Sequence, residues 1–438
     1  MTWVAALCLL LGILVVLMAL GLPVAIGFLA VNLIGGVVFL GGEAGLEQVA
    51  RNTMAALSNF SLAPIPLFLL MGEILFHTGV AFKAIEAIDR LIARVPGRLS
   101  LVAVAGGVVF SSLSGSTIAN TAVLGSALLP DMLKRGYHPT IAMGPIMATG
   151  SIAMLIPPSA LAVLLGSLAG ISISKLLIAG VIPGIMMGVI FTLYILGRCL
   201  TNPSIAPAYD VELPPLRDRI LPVLVYVLPL LSIFAVVVGS ILAGWATPTE
   251  SAALGSCAAF GACCLYGRMT WKALVKALTE TAKISVMILF IIGASLAFAQ
   301  ILAFSGASNG LLRWIDGFGL TSFAMLLAML LVLLFLGCFM DQVSMVLITL
   351  PFFIPLAQGF GFDLVWFGVL MLVVMEISFT TPPFGLLIYV MKGVAPPSIT
   401  IGDVYRATYP FIILELIVLA LIVSFPSLAT WLPDQISR

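Results

Sequence analysis

The chain has 438 residues, 62% of them hydrophobic and 8% charged, with a formal net charge of +1. Soluble domains carry about 25% charged residues, so the composition excludes a water-soluble protein and points to an all-α polytopic membrane protein. The near-zero net charge excludes the basic surface that a nucleic-acid partner needs.

The N-terminal stretch MTWVAALCLLLGILVV has no basic leader and continues into apolar sequence. It reads as a retained span at 3–20. Further apolar segments of spanning length follow at 22–41, 61–80, 139–168, 172–198, 221–243, 249–267, 284–304, 364–391 and 409–426. Two apolar stretches, 99–130 and 321–356, are too short for two crossings and a loop. Each has small or polar residues at its centre: SSLSGSTIANT at 111–121 and GCFMDQVS at 337–344. They read as re-entrant helical hairpins, with two short spans each as the alternative. Amphipathic segments at 47–60 and 268–281 read as a pair of interfacial arm helices. The proline-rich connection between Cys199 and Arg219 divides the chain near its middle.

The predicted organisation is scaffold spans and an arm helix over 1–60, then a first set of transport elements over 61–171. Scaffold spans, the central loop and a second arm follow over 172–283, a second set of transport elements over 284–408, and a last span over 409–438. Lys83, Arg90, Arg94, Arg98, Lys134 and Arg135 flank the first hairpin, whereas the second has Arg313 against Asp316 and Asp363. The positive-inside rule then brings the first hairpin in from the cytoplasm and the second from the other side, with both termini periplasmic.

Two spans carry a Pro-Pro pair: TGSIAMLIPPSA at 149–160 and MEISFTTPPFGL at 375–386. Proline lacks an N–H and clashes with the preceding turn, so neither is an unbroken helix. A shift of 225 residues lays Pro157 and Pro158 on Pro382 and Pro383, Pro130 on Pro355, and Gly136 on Gly361. Paired interrupted spans in two halves of a chain are the sequence sign of an inverted repeat with a binding site at the breaks.

The carbonyls of Ala153, Met154, Ser378 and Phe379 lose their helical donors to the prolines, and a hard cation is the natural partner for such oxygens. Facing them, Ser112, Ser114, Gly115, Ser116 and Thr117 offer hydroxyls and close backbone approach in the first tip. Gly337, Met340, Asp341 and Ser344 stand in the second. Close helix packing is the alternative use of such small residues. Asp341 and Glu376 are the ionisable candidates inside these elements. Glu73, Glu250 and Glu415 read instead as structural hydrogen-bonding groups or contacts with a partner subunit. Asn120 lies one turn past the first tip, placed either for substrate or for helix–helix bonding.

SSLSGSTIANTAVLGSALLPDMLKRGY with TGSIAMLIPPS, and LGCFMDQVSMVLITLPFFIPL with MEISFTTPPFGLLIYVMKGVAP, resemble the hairpins and broken helices of a known family. It is the large, DctM-type membrane subunit of tripartite ATP-independent periplasmic (TRAP) transporters. GLPVAIGFLA and PLFLLMGEILFHTGV are similar to that family too, and the resemblance covers nearly the whole chain.

The resemblance implies an elevator-type fold like that of the ion transporter superfamily. It also implies sodium-coupled secondary uptake of a small organic acid across the bacterial inner membrane. A soluble periplasmic binding protein and a separate small four-helix membrane subunit are the implied partners, and sodium ions rather than a cofactor the implied coupling species. Carried onto this sequence, one sodium site uses Ser112, Ser114, Gly115 and Ser116 with Gly150, Ala153 and Pro157. The other uses Gly337, Met340 and Asp341 with Thr380, Thr381 and Phe384. Substrate is then expected near Ser116, Asn120, Asp341 and Ser344. Where many relatives have proline after the second tip's aspartate, this chain has Gln342. A stand-alone sodium- or proton-coupled anion carrier, working without a binding protein, is the competing reading. An intramembrane hydrolase is disfavoured: neither an HExxH motif nor a GxSxG elbow is expected, and only His77 and His138 supply imidazole.

Overall fold

The computed structural model describes residues 1–92, 95–114, 117–207, 215–383 and 385–436. At 19, 111–114, 316 and 436 only the backbone is described. Every regular element among these residues is helical. Helices stand at all ten expected span positions. Among the described residues six runs are long and apolar enough to cross a membrane, five at expected span positions and the sixth, Gln342–Gly359, inside the second expected hairpin; a seventh qualifies if the bent pair Pro139–Leu155 and Ala160–Ala169 counts as one span.

The first hairpin consists of Arg98–Ser114 and Thr117–Lys134, and the second of Ser322–Leu336 and Gln342–Gly359. Arms of this length run roughly 22–27 Å against a hydrocarbon core of about 30 Å, and Gln342–Gly359 is by itself long and apolar enough to be a span. Local chemistry sets their starts. The Thr321 hydroxyl caps Ala324 N–H at 3.2 Å, and the Asp341 carboxylate caps Ser344 N–H at 3.1 Å. At the mouth of the first hairpin, Arg98 is bidentate on Asp89 at 2.8 and 2.6 Å.

The first broken pair is Pro139–Leu155 and Ala160–Ala169, bent by 43°. The second is Leu364–Thr380 and Leu386–Val394. Both Pro-Pro peptide bonds are cis. The chain leaves the helix at Ile156 and Thr381, each extended just before its proline pair. Ser159 then caps Ala162 N–H at 3.2 Å and restarts the first helix. Element ends follow the 225-residue spacing: Thr117 with Gln342, Lys134 with Gly359, Pro139 with Leu364, and Leu155 with Thr380.

Each hairpin packs on its own broken pair and also reaches into the other half. Gln342–Gly359 touches Ala160–Ala169, and Leu386–Val394 touches Thr117–Lys134. The two longer broken-pair helices contact each other and share Ile401–Ser424 as a neighbour. The N-terminal helices Trp3–Ala19 and Val24–Phe39 form a second core cluster with the long helix Trp271–Phe304. Outward faces are apolar, with Val15, Leu193, Val236, Val286 and Leu331 each about half exposed or more. Such faces suit acyl chains rather than water.

Two sequence expectations change. The segment 47–60 is largely a separate helix, Glu43–Leu57, but 268–281 has no independent arm: it runs unbroken into its span within Trp271–Phe304. Asn59, Pro64 and Pro66 interrupt the first, whereas nothing between Thr281 and Ile284 can break the second. The boundaries drawn at 283/284 and 408/409 therefore fall inside continuous helices. The string GASNG at 306–310 spells a nucleophile-elbow pattern, but it is entered from a helix and opens the helix Ala307–Asp316. The strand such an elbow requires is missing there.

Candidate functional site

Glu376 lies one turn before the second break and is fully buried. Its Oε1 accepts two hydrogen bonds, from the Thr117 hydroxyl at 2.7 Å and from Gln342 Nε2 at 2.6 Å. Thr117 opens the second arm of the first hairpin, and Gln342 opens the second arm of the second. Two residues 225 positions apart thus meet on one carboxylate oxygen. The other oxygen, Oε2, has no partner among the described residues.

Gly150 makes this meeting sterically possible. A Cβ there would lie 2.0 Å from Thr117 Cγ2, so only glycine lets the first tip sit this close to the first broken helix. The second tip uses the same device: a Cβ on Gly337 would lie 1.8 Å from Ser378 Oγ. Both helices approach within van der Waals contact at their small residues, as membrane helices do elsewhere.

A second buried carboxylate lies nearby. Glu415, on the last long helix, is fully buried and accepts from the Ser151 hydroxyl. Ser151 stands at the position that Glu376 occupies in the other half. Glu415 Oε2, Asn120 Oδ1 and Thr121 Oγ1 are further buried oxygens without a partner among the described residues. The carbonyls of Ala153 and Met154 likewise accept no backbone hydrogen bond there. The buried charged residues described are Glu376, Glu415 and Arg98, and Arg98 is held by Asp89. Buried carboxylates without a cationic partner are costly by many kcal/mol unless a proton or cation joins them. The donor set, oxygens alone, fits a hard cation such as sodium.

The sequence-selected residues fall as follows. Gly150 touches Thr117, Ala153 is fully buried on the same helix, and Pro157 is buried at the break. Gly337 is buried against Ser378, with Met340 half-buried beside the tip. Thr380 and Thr381 both donate to the Ile377 carbonyl, at 3.0 and 2.6 Å, and Thr380 also lies within hydrogen-bonding reach of Glu415. Asn120 donates to Thr149 Oγ1 at 3.1 Å. Asp341 is exposed and caps its helix through the Ser344 N–H and hydroxyl. Of the two ionisable candidates, only Glu376 is therefore buried. Gly115, Ser116 and Phe384, and the side chains of Ser112 and Ser114, lie outside the described residues.

One further expectation is corrected. The Ser378 carbonyl is not without a partner, because Thr381 N–H reaches it at 3.2 Å in a tightened last turn. For Glu415 the structural hydrogen-bonding alternative holds, since it points inward to Ser151. Sequence reasoning assigned no role to Ser151 or Gln342. The signal was present in the 225-residue shift, which pairs Ser151 with Glu376 and Thr117 with Gln342.

A cavity of about 360 Å³ opens between the tips, lined by Thr117 and Ile118 of the first hairpin and Asp341 and Gln342 of the second, with Glu73 and Phe76 opposite. That volume suits a small ligand. Its lining among the described residues includes two acidic side chains and no basic one. Asn120 and Ser344 are fully buried and committed to Thr149 and Asp341 rather than to this cavity.

Residues 11–428 match the family described as the DctM component of tripartite ATP-independent periplasmic transporters. The C4-dicarboxylate TRAP transporter large permease protein DctM of Pseudomonas aeruginosa is 31% identical over 393 residues, 89% of this chain and 90% of that one. The sialic acid TRAP transporter large permease protein SiaM of Vibrio cholerae is 28% identical over 420 residues, 94% and 95% of the two chains. Among solved structures, the YdaH transporter of Alcanivorax borkumensis has a similar fold, with a TM-score of 0.65 at 15% identity over 93% of this chain and 98% of that one. Two hairpins, two broken helices and a match over nearly the full length place this chain in the DctM family, the large permease subunits of TRAP transporters.

Proposed function

We propose that this chain is the membrane subunit of a sodium-coupled, binding-protein-dependent secondary transporter that imports a small organic acid across the bacterial inner membrane. A separate small membrane subunit and a periplasmic binding protein complete the system. The relatives' substrates, a C4-dicarboxylate and sialic acid, support an organic acid as cargo.

The observation that carries sodium coupling is the charge balance at the tips. The cavity between them presents Asp341 and Glu73, the latter 3.0 Å from His77, but no basic side chain in its described lining, and Glu376, bonded to the lining residues Thr117 and Gln342, is buried without a cation among the described residues. An anionic substrate entering such a space needs positive charge to accompany it. Sodium ions held by the tips and breaks supply that charge, so ion and substrate enter together. One sodium is assigned to the first tip with Gly150, Ala153 and Pro157. The second is assigned to Gly337, Met340 and Asp341 with Thr380 and Thr381.

The two halves form an inverted repeat, and hairpins and broken pairs move as one body against the scaffold spans. Unequal access supports this elevator reading. Pro157 and Pro158 are buried, whereas Pro382 is half-buried and Pro383 exposed. One state of an alternating transporter opens one break and closes the other.

Reconstitution of the chain with its small subunit and binding protein into liposomes tests the proposal. Uptake requires an inward sodium gradient and the binding protein. Uptake that persists with potassium in place of sodium removes the coupling assignment, and uptake without the binding protein favours a stand-alone carrier.

A further inference from the structure

Glu376 sits at a junction that neither ion site contains. Its Oε1 is shared by Thr117, the first residue of one hairpin's second arm, and Gln342, the first residue of the other's. The two donors come from opposite halves of the chain and occupy equivalent positions. The carboxylate is fully buried, so water does not compete for these bonds. Gly150 leaves the space that brings Thr117 within reach.

We propose that Glu376 is a positioning residue that couples the two hairpin tips, with Thr117 and Gln342 as its two arms. Resting on the sodium-site reading above, this coupling makes binding at one tip favour binding at the other. The physical reason is a shared acceptor. An ion that orders the first tip fixes Thr117, Thr117 fixes the Glu376 carboxylate, and the fixed carboxylate presents its oxygen to Gln342 at no further entropic cost. Either tip, when loose, withdraws a donor from the same atom and leaves a buried carboxylate less satisfied. Gln342 is the residue that extends the coupling to the second tip. A proline there has no side-chain N–H and could not donate to Glu376.

The test uses the reconstituted three-component system. Wild-type uptake rises steeply with sodium, with a Hill coefficient well above about 1 for two coupled sites. Gln342→Ala and Thr117→Val each lower it toward about 1 and raise half-saturating sodium about tenfold, the equivalent of one lost charge-assisted bond. The double variant is no worse than either single one, because both act through one oxygen. Thr117→Ser, which keeps the hydroxyl, restores the steepness that Thr117→Val loses. Unchanged steepness in Gln342→Ala, or additive effects in the double variant, overturns the proposal.

A second measurement needs no sodium and separates this inference from the sodium assignment. Hydrogen exchange is followed at the amides of 117–121 in purified protein carrying Gln342→Ala. Coupling predicts exchange about tenfold faster there, in the opposite hairpin. Acceleration confined to the hairpin that carries residue 342 overturns the junction even if uptake proves sodium-dependent. Acceleration at 117–121 upholds it even if uptake proves sodium-independent.

Discussion

Replacing Gly150 with alanine tests the site through a single methyl group. The new Cβ would stand 2.0 Å from Thr117 Cγ2 and 3.3 Å from Thr117 Cβ. Ordinary carbon–carbon contact is about 3.5–4.0 Å, so the Thr117 methyl must retreat by roughly 1.5 Å or more. Rotation of Thr117 or withdrawal of the first tip breaks the 2.7 Å bond to Glu376. Losing a hydrogen bond to a charged group costs about 1.5–3 kcal/mol, and the overpacking adds about 1–3 kcal/mol. The sum, on the order of 2.5–6 kcal/mol, exceeds the tenfold effect of one weakened bond. Sodium-driven uptake in proteoliposomes is expected to fall about a hundredfold or more at fixed sodium, with normal insertion and subunit assembly checked by size-exclusion chromatography. The compensating change is Thr117→Ser. It removes the clashing methyl and keeps the hydroxyl, so Gly150→Ala with Thr117→Ser recovers most of the uptake. Wild-type uptake in Gly150→Ala refutes the reasoning, and so does failure of the pair to recover, because either result means that Gly150 does not serve by making room for Thr117.

Three further outcomes follow from the same geometry. Gly337→Ala abolishes uptake and is not rescued by Ser378→Ala, because the added Cβ meets Ser378 Cβ at 2.4 Å as well as Oγ at 1.8 Å. Rescue requires Ser378→Gly, and uptake in the three variants decides it. Asp341→Asn retains the helix cap and therefore the thermal stability, yet raises half-saturating sodium. Asp341→Ala also loses about 1 kcal/mol of stability. Equal sodium dependence in wild type and Asp341→Asn would limit Asp341 to capping. Ser151→Ala removes the hydroxyl donated to buried Glu415 and lowers stability by about 1–3 kcal/mol, read as a drop in melting temperature in detergent. Ser151→Thr keeps the donor and loses less.

Part of this architecture was legible without coordinates because its cause is local. A proline removes its own N–H and restricts its own neighbour, so the breaks at Ile156 and Thr381 could be placed to within a residue. The turn between Leu336 and Gln342 was legible for a similar reason: small and polar residues in the middle of an apolar stretch mark where a helix pair turns. The arm helix at 268–281 was misjudged because amphipathicity reports which face meets water, not whether the helix continues. The Ser378 carbonyl was misjudged because a helix end can tighten and reach a donor one residue closer.

The sequence by itself determined the membrane class, the order of the helices, the two breaks and the 225-residue correspondence between the halves. Only the tertiary structure decided which polar groups meet. Glu376 finds Thr117 across 259 residues and Gln342 across 34, while Ser151 finds Glu415 across 264. Such pairings depend on how each helix is rotated against its neighbours, and in an apolar chain hydropathy constrains that rotation weakly. Glycines such as Gly150 and Gly337 fix it by close contact, and a glycine's meaning appears only when the atom that fills its missing side chain is known.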